Sequence, residues 1–153
     1  MAIRTRGGRI APVLAAVHRM EDASAREVRD GMLGEALRDL LTGWSECTGI
    51  AVEVWALPRG RMPAQIAGSV LVVVSGALSN VARHSGARTV SVAVTATPGE
   101  LRLTVSDDGR GFAGPARGPG LAAVEASFAA VGGRLAVRSV PGEGTTVSGA
   151  VAL

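Results

Sequence analysis

The sequence predicts an α/β two-layer sandwich, in which a mixed, mostly antiparallel sheet carries helices on one face and follows an N-terminal helical segment. Apolar residues occupy 47% of the 153 positions, which is enough for a buried core. Segments with helically spaced apolar residues and segments with alternating apolar residues follow one another along the chain. Glycine-rich stretches join several of them, and a chain of this length is expected to form one globular unit of ordinary size.

The amino-terminal part predicts two helices. Residues 9–20 carry apolar side chains at helical spacing, and residues 25–44 repeat the pattern after a polar break. Ser24, with Glu27 three residues later, matches a capping box at the start of the second helix. We therefore predict an N-terminal helical segment over residues 1–43, which could form a helical hairpin, followed by the main domain over residues 44–153.

The main domain begins with an alternating apolar pattern over residues 50–55, which predicts a strand. A loop follows, and Pro63 suits the first turn of a long helix that reaches about His84. The remaining predicted elements are strands over 89–97 and 101–105 around the turn Pro98-Gly99, a glycine-rich segment over 109–120, a helix over 121–131, and strands over 134–140 and 145–152.

Composition argues against a nucleic-acid partner. All 16 basic residues are Arg, but the formal net charge is only +3 and aromatic residues make up 3% of the chain. Nucleic-acid surfaces usually combine clustered basic residues with aromatic side chains, and no such cluster is present.

The sequence also predicts a cytoplasmic domain that makes no membrane contact of its own. Cys47 is the only cysteine, which excludes an internal disulfide and fits a reducing compartment. The longest apolar run, over residues 66–78, is too short to span a bilayer. The amino end shows no signal-peptide pattern.

Two polar segments carry candidate chemistry. Asn80 and His84 lie four residues apart and share one face of the long helix, where they could bind a ligand or simply cap a solvated helix end. Asp107 precedes Gly109 and Gly111 at the end of a strand. A carboxylate there could accept a hydrogen bond from an amino group on a flat ring that the glycines allow to approach. The alternative is an Asp-Gly turn that closes a hairpin.

A third segment, Gly118-Pro-Gly120, leads into a helix at Leu121. A glycine loop before a helix N-terminus presents backbone N–H groups and the positive end of the helix dipole to phosphates. The alternative is a flexible loop without a ligand. Residues 144–147, which read GTTV, add a weaker fourth mark at the start of the last strand.

Taken in order, these segments resemble the nucleotide site of the Bergerat-fold (GHKL) ATPases, a superfamily that includes DNA gyrase, chaperone, mismatch-repair and histidine-kinase domains. The pattern is most similar to nitrate-sensor and DesK-like sensor histidine kinases, which carry EALxNVxRHA, DDGxGF, GxGLxGM and GxGTxV. The corresponding segments here are SGALSNVARHSGA at 75–87, DDGRGF at 107–112, GPGLAAV at 118–124 and GEGTTV at 142–147.

The resemblance implies that the domain binds ATP and Mg²⁺. It assigns Asn80 as the Mg²⁺ ligand and Asp107 as the acceptor for the adenine amino group, with Gly109 and Gly111 making room for the ring. It also implies nucleotide contacts for Arg83 and His84 near the phosphates, for Gly118, Gly120 and Leu121 at the hinged lid, and for Thr145 near the adenine floor.

The sequence departs from the family pattern beside Asn80. The acidic residue that the family carries four positions before this Asn is Gly76 here, and its basic neighbour is Ser75. General-base assistance contributes about 10²- to 10⁴-fold to a rate, so ATP hydrolysis by an activated water should be poor. Phosphoryl transfer to a histidine depends more on positioning and charge stabilisation, so it could survive.

The family's phosphoacceptor is also missing. Such kinases carry a His followed by an acidic residue in a dimerising helix pair, whereas His18 is followed by Arg19. The resemblance therefore implies that residues 9–43 are the end of a dimerisation hairpin or a degenerate substitute for it.

The expected function is the ATP-binding catalytic domain of a two-component sensor histidine kinase. It would act on a histidine elsewhere, with a response regulator or a histidine-containing dimerisation domain as partner and a homodimer as a further option. The alternatives are a nucleotide-binding pseudokinase that regulates other proteins and an anti-sigma-factor-like serine kinase.

Overall fold

A computed structural model describes residues 32–113 and 119–153, which form one five-stranded sheet with helices packed against it. The predicted helix over 9–20, the capping box at Ser24 and His18 lie outside the described residues. The elements are α1 (Leu33–Thr48), β1 (Ala51–Ala56), α2 (Ala64–Asn80), β2 (Thr89–Ala96), β3 (Glu100–Asp107), α3 (Pro119–Ala129), β4 (Arg134–Val140) and β5 (Gly144–Ala152).

The strand order across the sheet is β1-β2-β3-β5-β4. β1 pairs in parallel with β2, and α2 makes the crossover between them. All other pairs are antiparallel, with β2 and β3 forming one hairpin and β4 and β5 forming another. The prediction of a mixed, mostly antiparallel sheet is therefore confirmed.

One face of the sheet is buried against the helices. In β2, Val90, Val92 and Val94 are fully buried, while the residues between them are partly exposed. In β3, the buried positions are Leu101, Leu103, Val105 and Asp107. This is the period of two that the sequence showed, because successive side chains of a strand point to opposite faces.

Helix α1 belongs to the same core as the sheet. Leu37, Leu40 and Trp44 are fully buried in one apolar cluster with the strand residues. The predicted division of the chain between residues 43 and 44 thus falls inside this helix. The helix ends at Gly49, which has φ of 75° and donates its N–H to the Ser45 carbonyl at 2.9 Å.

Helix α2 covers the sheet and continues into a wider helical turn over Val81–Ser85. Within the 20 residues Ala64–Arg83, a stretch of 18 has a mean hydropathy of 1.6, so by length and composition alone this segment could cross a membrane. The apolar run found in the sequence, residues 66–78, is shorter than this segment, because the segment also includes polar residues at both ends. Val70, Val73 and Val74 are fully buried in the core, which accounts for the high hydropathy.

Helix α3 is anchored to the sheet by Phe128, which is fully buried. A Cβ on Gly133 would lie 2.5 Å from Cδ1 of Phe128, and one on Gly149 would lie 3.1 Å from its Cε1. These two glycines therefore leave the space that the ring occupies, as close packing in a protein core requires.

Candidate nucleotide site

The fold brings the ends of α2 and β3 to the same end of the sheet. Asn80 is the last residue of α2, and the short connection that follows it leads directly into β2 at Thr89. Asp107 ends β3 and pairs with Val90, the second residue of β2. Asn80 and Asp107 are far apart in sequence but thus lie at the same end of the sheet.

Asp107 is a buried carboxylate, with only 9% of the residue exposed. Its Oδ1 accepts a hydrogen bond from the backbone N–H of Gly109 at 2.8 Å. Burial raises the pKa of Asp107 above its usual range, and the nearby charge of Asp108 adds to the rise. Backbone hydrogen bonds from Gly109 and Thr145 oppose the shift without cancelling it. Carboxylates perturbed in this way are concentrated at functional sites.

The turn after Asp107 is pressed against the β4–β5 turn, and two glycines make this possible. Gly144 has φ of +86°, and a Cβ there would collide with the Asp107 carbonyl. Gly111 has φ of +63°, and a Cβ there would collide with the Val140 carbonyl. From the sequence, Gly111 is assigned to the approach of a flat ring. In the structure, the backbone carbonyls of Val140 and Gly144 occupy the space that a side chain at Gly111 would need.

Thr145 lies beside Asp107, one step beyond the last paired residues of β3 and β5, and is 7% exposed. Its hydroxyl oxygen is 2.7 Å from Oγ of Ser139, which also accepts the N–H of Phe112 at 2.8 Å. Ser139 thus links the candidate loop to the start of β5. Sequence reasoning missed this residue, because an isolated Ser in a strand carries no recognisable signal.

Asp108 is a second residue whose role the motif did not reveal. Its Oδ1 accepts the backbone N–H groups of Arg88 at 2.9 Å and Thr89 at 3.0 Å. The loop that carries Asp107 is thereby bound to the segment that leads from α2 into β2.

The other predicted site residues belong to several elements near this end of the sheet. Asn80 is half-buried, and Arg83 is exposed in the Val81–Ser85 turn, which also contains His84. Gly120 and Leu121 lie in the first turn of α3, where Leu121 is 9% exposed. Gly118 lies outside the described residues. The nucleotide contacts assigned to these residues stay predictions.

Packing between α2 and α3 leaves no space for a side chain at Gly76, where the family pattern has an acidic residue. Gly76 lies on α2 one turn before Asn80, and a Cβ placed there would overlap Cγ2 of Val124 on α3. Its neighbour Ser75 is 4% exposed, and within the described ranges its hydroxyl has no hydrogen-bond partner. Helix α3 therefore approaches α2 at the position where the resemblance led us to expect a carboxylate.

Solved structures share this architecture. The histidine kinase domain from Erythrobacter litoralis EL346 blue-light activated histidine kinase superposes with a TM-score of 0.68 over 93% of this chain and 82% of that chain, at 22% identity. The fold is therefore that of a histidine kinase ATPase domain.

The family model for histidine kinase-, DNA gyrase B- and HSP90-like ATPases matches residues 67–152, which is more than half of the chain. The chain belongs to this family, as the four ordered segments predicted. It is 33% identical to sensor histidine kinase LiaS of Bacillus subtilis (strain 168) over 118 residues, which are 75% of this chain and 32% of LiaS. It is 28% identical to LnrJ of the same strain over 120 residues, 78% of this chain and 30% of LnrJ.

A third relative is sensor histidine kinase MctS of Rhizobium johnstonii, 34% identical over 94 residues, which are 61% of this chain and 20% of MctS. The chain thus spans about a third or less of the length of these curated relatives. Together with the family match, they identify it as an ATP-binding domain of the sensor histidine kinase type.

Proposed function

We propose that this domain transfers the γ-phosphoryl group of ATP to a histidine in another segment or chain. The observation that carries the proposal is the buried carboxylate of Asp107, oriented by the Gly109 N–H at the same end of the sheet as Asn80. Family membership and the sensor histidine kinase relatives support ATP as the substrate.

In this proposal Asp107 accepts the adenine amino group. Its surroundings suit that task, because the carboxylate is already desolvated and held by a backbone donor before the nucleotide arrives. Gly109 would leave the backbone open to the ring and Thr145 would border it, while Gly111 lets the same turn pack against the Val140 carbonyl. A hydrogen bond to a charged group contributes about 1.5–3 kcal/mol. Its loss corresponds to a roughly ten- to hundred-fold weaker affinity.

The metal and phosphate half of the proposed site follows α2. Among residues 32–113 and 119–153 no cluster of three His, Cys, Asp or Glu side chains could cage a metal ion. The amide oxygen of Asn80 is a hard ligand of the kind that Mg²⁺ accepts alongside water and phosphate oxygens. Arg83 and His84 would lie near the phosphates, and the start of α3, with Gly118, Gly120 and Leu121, would offer backbone N–H groups.

We further propose that the domain works in the cytoplasm, with a histidine-containing dimerisation domain or a response regulator as partner. The support is that its relatives are sensor histidine kinases about three to five times as long as the matched region.

The direct test is incubation of the protein with labelled ATP, Mg²⁺ and histidine-containing dimerisation domains of sensor kinases. An acid-labile phosphohistidine should form and should be lost in Asn80→Ala. Gln65→Ala, which removes an exposed amide from the other end of α2, should retain the label. Absence of label with every dimerisation domain would contradict phosphoryl transfer.

A second function, nucleotide binding without catalysis, is favoured by the Gly76–Val124 contact. If the domain is such a regulatory module, calorimetry should detect ATP binding while no hydrolysis and no transfer accompany it. Formation of measurable phosphohistidine in the assay above would exclude nucleotide binding without catalysis.

A further inference from the structure

The loop that carries Asp107 is fastened to a distant part of the chain by Asp108. One oxygen of Asp108 accepts two backbone N–H groups, those of Arg88 at 2.9 Å and Thr89 at 3.0 Å. The N–H of Asp108 donates in return to the Thr89 carbonyl at 3.3 Å. Three hydrogen bonds therefore join two segments that are about 20 residues apart in sequence.

A second contact reinforces the same junction. Gly86 ends the Val81–Ser85 turn in a left-handed conformation with φ of 62°. A Cβ placed on Gly86 would lie 3.3 Å from Nε of Arg110, so the guanidinium lies directly over this glycine. The loop after Asp107 thus contacts the chain both at Gly86 and at Arg88–Thr89, which is the connection that continues from Asn80.

We propose that Asp108 is a positioning residue that fixes the Asp107 loop relative to the helix end carrying Asn80. The inference rests on the proposed function, in which these two residues serve the base and the metal-bound phosphates of one nucleotide. Asp108 is exposed and acts through the backbone that it holds. A preorganised site avoids an ordering cost when the ligand binds.

This role has a specific signature. If Asp108 holds the two halves of the site together, its loss should reduce the gain in ATP affinity that Mg²⁺ provides. We expect Asp108→Ala to weaken ATP binding about tenfold in the presence of Mg²⁺ and much less in its absence. Asp108→Asn keeps an oxygen acceptor for the Arg88 and Thr89 amides and should recover most of the loss.

The experiment is a calorimetric titration with ATP, with and without Mg²⁺, of the wild type, Asp108→Ala, Asp108→Asn and Asp39→Ala. Asp39 is an exposed carboxylate on α1 and serves as the matched control. All four proteins are titrated at a temperature at which circular dichroism shows each to be folded.

A smaller Mg²⁺-dependent gain in Asp108→Ala, restored by Asn and unchanged in the control, supports the proposal. An unchanged gain in Asp108→Ala overturns it, even if the variant melts at a lower temperature, because the residue would then be only structural. Equal losses in the Ala and Asn variants also overturn it. A wild-type protein that binds no ATP would overturn the proposed function itself, and the positioning role with it.

Discussion

The contact between Gly76 and Val124 predicts a strong energetic coupling between α2 and α3. In most helix interiors, Gly→Ala stabilises a protein by about 0.5–1 kcal/mol. At Gly76 the added methyl would overlap Cγ2 of Val124, and forcing atoms into a packed core costs about 1–3 kcal/mol. Val124 is β-branched and cannot easily turn away within a helix. We therefore expect Gly76→Ala to destabilise the domain by about 0.5–2 kcal/mol.

Shortening Val124 should reverse the sign of this effect. The Cβ of Val124 lies 3.7 Å from the position of a Cβ on Gly76, so two alanines at these positions would be in ordinary contact. Val124→Ala alone should cost about 2 kcal/mol, because Val124 is only 7% exposed. In that background Gly76→Ala should stabilise the domain by about 0.5–1 kcal/mol.

The assay is urea denaturation of the wild type, the two single variants and the double variant, which together form a double-mutant cycle. Gly99→Ala is the control, because nothing lies within 4 Å of a Cβ there. We expect a coupling of about 2 kcal/mol between positions 76 and 124. Strict additivity, with Gly76→Ala equally favourable in both backgrounds, would refute the packing described for α2 and α3. An acid returned to position 76 should likewise fit only when Val124 is shortened.

Three further outcomes follow from the site. Burial raises the pKa of Asp107, so this carboxyl keeps its proton to higher pH in the folded state than in the unfolded state. The free energy of unfolding should therefore fall as the pH rises from the pKa of the unfolded state through the raised pKa of the folded state. Asp107→Asn should abolish this fall and leave the nucleotide-free protein more stable near neutral pH, as measured by urea denaturation across pH. A fall at least as large in the variant as in the wild type would contradict it. Ser75→Ala removes a buried hydroxyl without a partner in the described part of the chain, and the melting temperature should stay the same or rise. Gly144→Ala should destabilise the domain by more than about 1 kcal/mol in urea denaturation, because φ of Gly144 is positive and a Cβ there would collide with the Asp107 carbonyl. An unchanged free energy of unfolding would exclude this close approach.

Much of the sheet could be predicted from local pattern. Val90, Val92 and Val94 alternate with small polar residues, and a period of two determines which side chains face the core. Asp107 was recognisable for a related reason, since a carboxylate at a strand end followed by alternating glycines is an unusual local combination.

The end of α1 was misjudged because its last turn is polar. The prediction stopped at Trp44, whereas the helix continues to Thr48. Ser45 is fully buried and donates its hydroxyl to the Ile50 carbonyl at 2.6 Å, and Thr48 donates to the Trp44 carbonyl at 2.9 Å. A buried polar side chain is tolerated where it finds a hydrogen-bond partner, so the last turn can stay helical although it lacks apolar residues.

Long-range contacts could not be predicted from a single sequence. The sequence showed that an acid was missing at Gly76, but only the fold shows that Val124 occupies its place. The links made by Ser139 and Asp108 are of the same kind, since each joins segments whose proximity depends on strand order.

The measurement that tests the central claim most directly is ATP binding by the Asp107→Ala variant in the presence of Mg²⁺. Calorimetry should show saturable binding to the wild type and to Asp39→Ala, and affinity about ten- to a hundred-fold weaker for Asp107→Ala. If Asp107→Ala and the wild type, both folded, bind ATP with equal affinity, this carboxylate does not hydrogen-bond to the adenine amino group. That result would contradict the assignment of the site.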